Sequence, residues 1–136
     1  MSYGMGAALQ SGVYAHLLAD AALGTLVGSA IYDAAPAGNP AGLFVTLGPE
    51  DVKDRSHYDG GAALHDFTVS VVTDEAGFQS AKLAAAAVSD ALVDADIVMD
   101  RGRLVGLRFL RARARRIRNS TQRQIDLRFQ AHVEDN

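Results

Sequence analysis

Residues 103–133 read RLVGLRFLRARARRIRNSTQRQIDLRFQAHV, and their alternation decides the fold class. In the second half, Ile125, Leu127, Phe129, Ala131 and Val133 share one face of an extended chain, while Gln124, Asp126, Arg128, Gln130 and His132 share the other. This period of two predicts a strand over 122–133 that is buried on one side only. In the first half the same spacing predicts a strand over 103–116, with Val105, Leu107 and Phe109 toward the core and Arg111, Arg113 and Arg115 continuing that face. Arg118-Asn119-Ser120 supplies the turn. Centring the hairpin on Asn119 sets Phe109 opposite Phe129 and Arg113 opposite Ile125. The apolar face is therefore expected to become basic toward a tip that projects beyond the domain.

Outward from the hairpin, residues 65–71 repeat the pattern. His65, Phe67, Val69 and Val71 alternate with Asp66, Thr68 and Ser70, as in an antiparallel strand covered on one side. Asp74-Glu75 is expected to cap a helix running to about Asp94, whose buried stripe is Ala81, Ala85, Val88 and Leu92. Nearer the N-terminus, Leu9, Val13 and Leu17 recur at four-residue spacing and predict a helix over 6–21. Residues 21–31 read as a short helical turn ended near Gly28 and a brief strand around 30–32. The stretch 34–42 (AAPAGNPAG) is a loop, and 43–47 (LFVTL) is a strand closed by Gly48-Pro49. Residues 50–61 (EDVKDRSHYDGG) are polar and of mixed charge, which predicts a loop that is either functional or disordered. The order α, (α), β, β, β, α, β, β implies one α+β domain over 1–136. Its antiparallel sheet of four to five strands has two helices packed on one face and a long C-terminal β-hairpin.

The charge is divided unevenly along the chain. Ten of the 13 Lys and Arg residues lie between Arg101 and Arg128, where Asp126 is the sole acid, yet the net charge is −3. The first hundred residues hold 13 of the 16 acids. A dipole of this kind argues about association and not about architecture. It predicts an unlike-charged partner, which another copy of the chain would satisfy. The arginines Arg111, Arg113, Arg115, Arg116 and Arg118 are candidate interface donors, because a guanidinium fork pairs with carboxylates and is weakly hydrated. Glu50, Asp51 and Asp54, in the acidic stretch that runs to Asp59, are candidate acceptors on the neighbour. Two other readings of the arginines stand beside this one. Charge on an exposed edge prevents strand-to-strand aggregation, and a basic hairpin can serve as a nucleic-acid-binding module. The run contains no Tyr or Trp to stack on bases.

Catalysis finds little support. The chain has no cysteine, hence no thiolate nucleophile, disulfide framework or zinc-thiolate site. No G-x-S-x-G, Walker loop or G-x-G-x-x-G occurs in a suitable context. The pairs His16 with Asp20 and His57 with Asp54 have ligand spacing but lack further ligands, and His65 reads as a core-edge residue with one nitrogen satisfied. The carboxylates between Glu50 and Asp59 sit in a polar stretch without the desolvation that would tune an acid and a base. No catalytic residue, cofactor or metal is expected. The N-terminal apolar run lacks a basic flank and is interrupted by His16 and Asp20, so neither export nor membrane insertion is expected, and the cytoplasm is the default location.

With the elements placed, the whole chain resembles the tail completion or tail terminator family of long-tailed bacteriophages and gene transfer agents. The resemblance runs through Leu26-Val27-Gly28, Ala30-Ile31-Tyr32-Asp33 and the Pro-containing loop leading into Phe44-Val45-Thr46-Leu47-Gly48. It continues through Phe67-Thr68-Val69-Ser70-Val71, the Ala-rich helix, Leu107-Arg108-Phe109 and Leu127-Arg128-Phe129-Gln130-Ala131. What it implies is a structural protein forming a six-membered ring on the tail tube. Such a ring stops further tube subunits, offers a surface to the head-side connector, or stopper, and lets DNA pass through its lumen without specific binding. It also implies a place at the head-tail junction of a virion or virion-like particle.

Overall fold

A computed structural model describes residues 3–34, 41–55 and 61–135 of the chain. Eight elements follow in order: α1 (Gly6–Ala19), α2 (Ala21–Val27), β1 (Ile31–Tyr32), β2 (Phe44–Asp54), β3 (Ala62–Thr73), α3 (Gln79–Leu92), β4 (Arg103–Arg116) and β5 (Arg123–Glu134). The strands form one sheet in the order β1-β2-β3-β5-β4. Two-residue β1 runs parallel to β2, and every other pair is antiparallel. The architecture is the expected α+β one, with a third, short helix and a mixed sheet as refinements.

The helices form where the apolar stripes lie. Leu9, Val13 and Leu17 of α1 and Ala81, Ala85, Val88 and Leu92 of α3 are all buried. They meet Phe67, Val69 and Val71 of β3 and Ile125, Leu127 and Phe129 of β5 in one core. Asp20 separates α1 from α2 by taking an extended conformation, and its carboxylate accepts a 2.9 Å hydrogen bond from the Leu23 amide. That satisfies one of the amides left unpaired at a helix start. Gly28, at φ 62°, ends α2 where the turn near Gly28 was expected. Fully buried Phe129 stacks against Phe67 at 5.7 Å and meets the Phe109 edge at 5.9 Å. Each such pair contributes about 0.5–1.5 kcal/mol beyond the area it buries.

Three expectations are corrected. The strand that begins at Phe44 does not close at Gly48-Pro49. Register slips there, from Leu47↔Val69 to Glu50↔Phe67, and β2 resumes its pairing to Asp54. A bulge accommodates proline inside a strand because the extra residue owes no ladder bond. Residues 50–54 of the stretch read as a loop are thus strand, and His57, Tyr58 and Asp59 lie outside the described residues, as do the two prolines of the 34–42 loop. The second correction concerns α3, which starts at Gln79 with no side-chain cap. The Asp74 carboxylate instead accepts from the Gly42 amide at 3.1 Å, and the Glu75 amide donates to the Thr73 hydroxyl at 3.2 Å.

The third correction moves the arginines. β4 carries 14 residues against the 12 of β5, and it absorbs the excess in two bulges, at Val105 and at Leu110. Phe109 does face Phe129, but beyond Leu110 the register is Arg111↔Arg128, Arg113↔Asp126 and Arg115↔Gln124. Since side chains alternate, one inserted residue transfers everything after it to the opposite face. Arg111, Arg113 and Arg115 therefore leave the helix side and join the open face, and Ala112 and Ala114 take the positions opposite Leu127 and Ile125.

Candidate interaction surface

The sheet face away from the helices is where the charged side chains collect. A concavity of about 540 Å³ lies there, with Arg111, Arg113, Arg115 and Arg128 around it, Asp51 and Pro49 on the β2 side, and Thr68, Ser70, Gln124 and Asp126 as its floor. Asp126 organises this floor. Its carboxylate accepts from the Ser70 hydroxyl at 2.7 Å, from the Gln124 amide at 2.7 Å and from Arg115 Nε at 3.3 Å. Burial alone would raise its pKa, but these hydrogen bonds and the Arg115 charge outweigh burial and hold the carboxyl below its ordinary value. Asp51 stands 3.8 Å from Arg128, and Arg108 donates to Gln130 at 3.1 Å.

Other arginines are anchored within the chain. Arg101 pairs with Asp135 at 2.6 Å, and Arg103 pairs with Glu134. Arg123 lies 5.6 Å over the Phe78 ring and donates to the Glu75 carbonyl at 3.1 Å, which ties the hairpin to the start of α3. By contrast, no hydrogen bond or ion pair within the chain engages the Arg111, Arg113, Arg116 or Arg118 side chain among the described residues. All four are exposed. Arg116 ends β4 opposite Arg123, and Arg118 stands in the turn that Asn119, at φ 59°, closes. The free guanidinium groups thus fan around the distal half of the hairpin.

The acids proposed as acceptors do not form one patch. Glu50 pairs with Phe67 and so belongs to the helix side, where its carboxylate accepts from the Tyr3 hydroxyl and lies 3.4 Å from His65 Nδ1. Glu50 as a hydrogen-bond acceptor and as a neighbouring negative charge raises the Tyr3 pKa. Asp51, one residue on, points to the open face and already sits among the arginines. Asp54 ends β2 opposite Ala63, again on the helix side. His65 is fully buried with its other nitrogen unpartnered, in keeping with its reading as a residue satisfied once.

Nothing in this arrangement resembles a catalytic constellation. His16 Nε2 lies 2.9 Å from the Ala91 carbonyl and links α1 to α3, away from the other histidines. Among the described residues no three His, Asp or Glu side chains converge as metal ligands would. Among the described residues no helix is long and apolar enough to cross a membrane. What the open face offers is a row of fixed cations with a polar floor, suited to carboxylate or phosphate groups from outside.

Comparison with known proteins gives this surface a context. Among curated proteins no match is found. The chain is similar to one in the solved structure of a native gene transfer agent virion, with 61% identity, a TM-score of 0.91, and coverage of 98% of this chain and 99% of that one. Residues 11–134 match the family model described as Tail completion protein gp17. A match over that span, carried by the same helices, sheet and closing hairpin, means that the chain belongs to the tail completion protein gp17 family.

Proposed function

We propose that this protein is a structural component of a phage or gene-transfer-agent tail, acting as a six-membered ring that caps the tail tube. The ring stops the addition of tube subunits and presents a docking surface to the head-side connector. Membership of the tail completion family and the 61% identity to a chain of a gene transfer agent virion support a place in such a particle. The observation that carries the ring is the distal hairpin, whose Arg111, Arg113, Arg116 and Arg118 form no ion pair among the described residues. A closed ring of identical copies needs a heterologous interface in which two different surfaces meet around the circle. Arg115 contributes from the same face while holding Asp126. The open face carries arginines without aromatic rings between them, so it lacks the stacking platform of a single-strand-binding groove. DNA would pass the lumen without being gripped.

The test is mass in solution, by ultracentrifugation or native mass spectrometry, with and without purified tube subunit. The wild-type chain is expected to reach a discrete closed oligomer, alone or on the tube subunit. Arg113→Glu is expected to shift it toward monomer. If Arg113→Glu changed affinity for DNA and left assembly untouched, the interface assignment would be wrong.

A further inference from the structure

The four unpaired guanidinium groups at one end of β4 have a counterpart at the other. The segment from the last turn of α3 to the start of β4 carries Asp90, Asp94, Asp96 and Asp100, all exposed. None of the four engages a donor through its side chain among the described residues. The last turn of α3 holds no basic residue, so its negative helix terminus adds to these charges and nothing local offsets them. Val98, in the same segment between Asp96 and Asp100, is 90% exposed.

The two charge groups cannot meet inside one molecule. The Asp94 amide donates to the Leu107 carbonyl at 3.0 Å, which pins the acidic segment beside the first half of β4. The free arginines begin past the Leu110 bulge and end in the turn. From Leu107, where the segment is pinned, the strand runs about 13 Å to Arg111 and about 30 Å to Arg116, beyond the Debye length of about 8 Å at physiological salt. Neutralisation of these arginines therefore calls for carboxylates from outside the molecule. Glu50, Asp51 and Asp54 are poorer acceptors, because Glu50 is engaged by Tyr3, Asp51 already lies beside Arg128 and Asp54 is not without a partner of its own.

We infer that the distal half of β4 and its turn form a docking surface for a second copy of this chain, and that the docking element is that copy's α3–β4 connection. Asp90, Asp94, Asp96 and Asp100 of the connection meet Arg111, Arg113, Arg116 and Arg118 around the exposed edge of β4. The contact is head to tail, and it rests on the ring reading because it specifies which surface receives the arginines.

The deciding experiment is a charge swap in the full-length protein, read by oligomer mass with and without the tube subunit. Asp96→Arg with Asp100→Arg, and separately Arg113→Glu with Arg116→Glu, are each expected to weaken association on the order of a hundredfold, since unlike contacts become like ones. A chain bearing all four changes is expected to recover most of that loss. Because the chain has no cysteine, Asp96→Cys in one protein and Arg116→Cys in another provide a second readout: their mixture should form a disulfide-linked dimer that neither forms alone. If the arginine pair mattered while the aspartate pair did not, and no cross-link formed, the acceptor assignment would fall and the ring would stand. If the wild-type chain never self-associated under either condition, the ring would fall, and this contact with it.

Discussion

Asp126 is the residue whose loss tests the physics of the open face most directly. Its carboxylate holds the hydroxyl of buried Ser70, the Gln124 side chain and Arg115 Nε. Replacing it with alanine leaves Ser70 without its acceptor and removes one of the two carboxylates set among four arginines. A hydrogen bond to an ionised carboxylate contributes about 1.5–3 kcal/mol net, less where the carboxylate is partly exposed as here, and a buried hydroxyl left unsatisfied costs about 1–3 kcal/mol. The Arg115 contact is partly exposed and adds little once discounted for solvent screening. The expected loss for Asp126→Ala is therefore about 2–3 kcal/mol in urea unfolding, with the m value unchanged. Asp126→Asn keeps an acceptor oxygen, so it should lose less. The pH dependence separates charge from shape. Because the folded carboxyl titrates below its ordinary value of 3.8, its stabilisation is complete above the unfolded pKa and disappears as pH falls through the lower folded pKa. Wild type should lose stability across that acid window, and Asp126→Asn should lack this part of the slope. An Asp126→Ala protein within 0.5 kcal/mol of wild type, with an unaltered acid limb, would refute the assignment of Asp126 as organiser of the face.

Two smaller predictions concern the frame that holds this face in place. Gly102 sits at φ 63°, and a Cβ there would collide with the Glu134 carbonyl and the Met5 thioether; Gly102→Ala should cost about 2 kcal/mol or more by thermal unfolding. Asp20→Ala removes the only side-chain cap of α2 and should cost about 1 kcal/mol, while Asp20→Asn should stay within a few tenths of wild type.

The hairpin shows how far alternation alone carries. β5 was readable because one face is wholly apolar and the other wholly polar, so only one half-buried strand fits, and the Phe109–Phe129 pairing followed from centring the hairpin on Asn119. What alternation does not reveal is a bulge. At Leu110 the sequence reads Phe-Leu-Arg with no glycine or proline to mark an inserted residue, and the resulting error of one position put three arginines on the wrong face. At Gly48-Pro49 a bulge is signalled, but by the same residues that end strands, so the strand read to Leu47 stops seven residues short of Asp54. The density of arginine in the hairpin was plain from composition. Which of them lack a partner depends on the parity that the bulge sets, and no local feature of the sequence reports it. Asp74 is a similar case: its type suits a helix cap, yet the Gly42 amide, 32 positions away, engages it.

The bulge also explains why the charge is exposed and not absorbed. Without the extra residue at Leu110, Arg111, Arg113 and Arg115 would lie on the helix side in register with Asp126's neighbours Ile125 and Leu127, where the apolar core would have to accommodate cations. With it, alanines take those positions and the cations join Arg128 around a concavity whose acidic lining residues are Asp51 and Asp126. Like charges gathered so closely are held at a cost, and the covered face of the sheet offers no relief because the helices already occupy it. On the other edge of the sheet β1 protects only Val45 and Thr46, whereas β4 leaves its distal half open along both its face and its rim. A strand that is long, edge-exposed and cationic resists pairing with another strand of its own kind. It is suited instead to a surface of opposite sign, and the proposed contact between copies, arginines on one and carboxylates on the next, would run in one direction only.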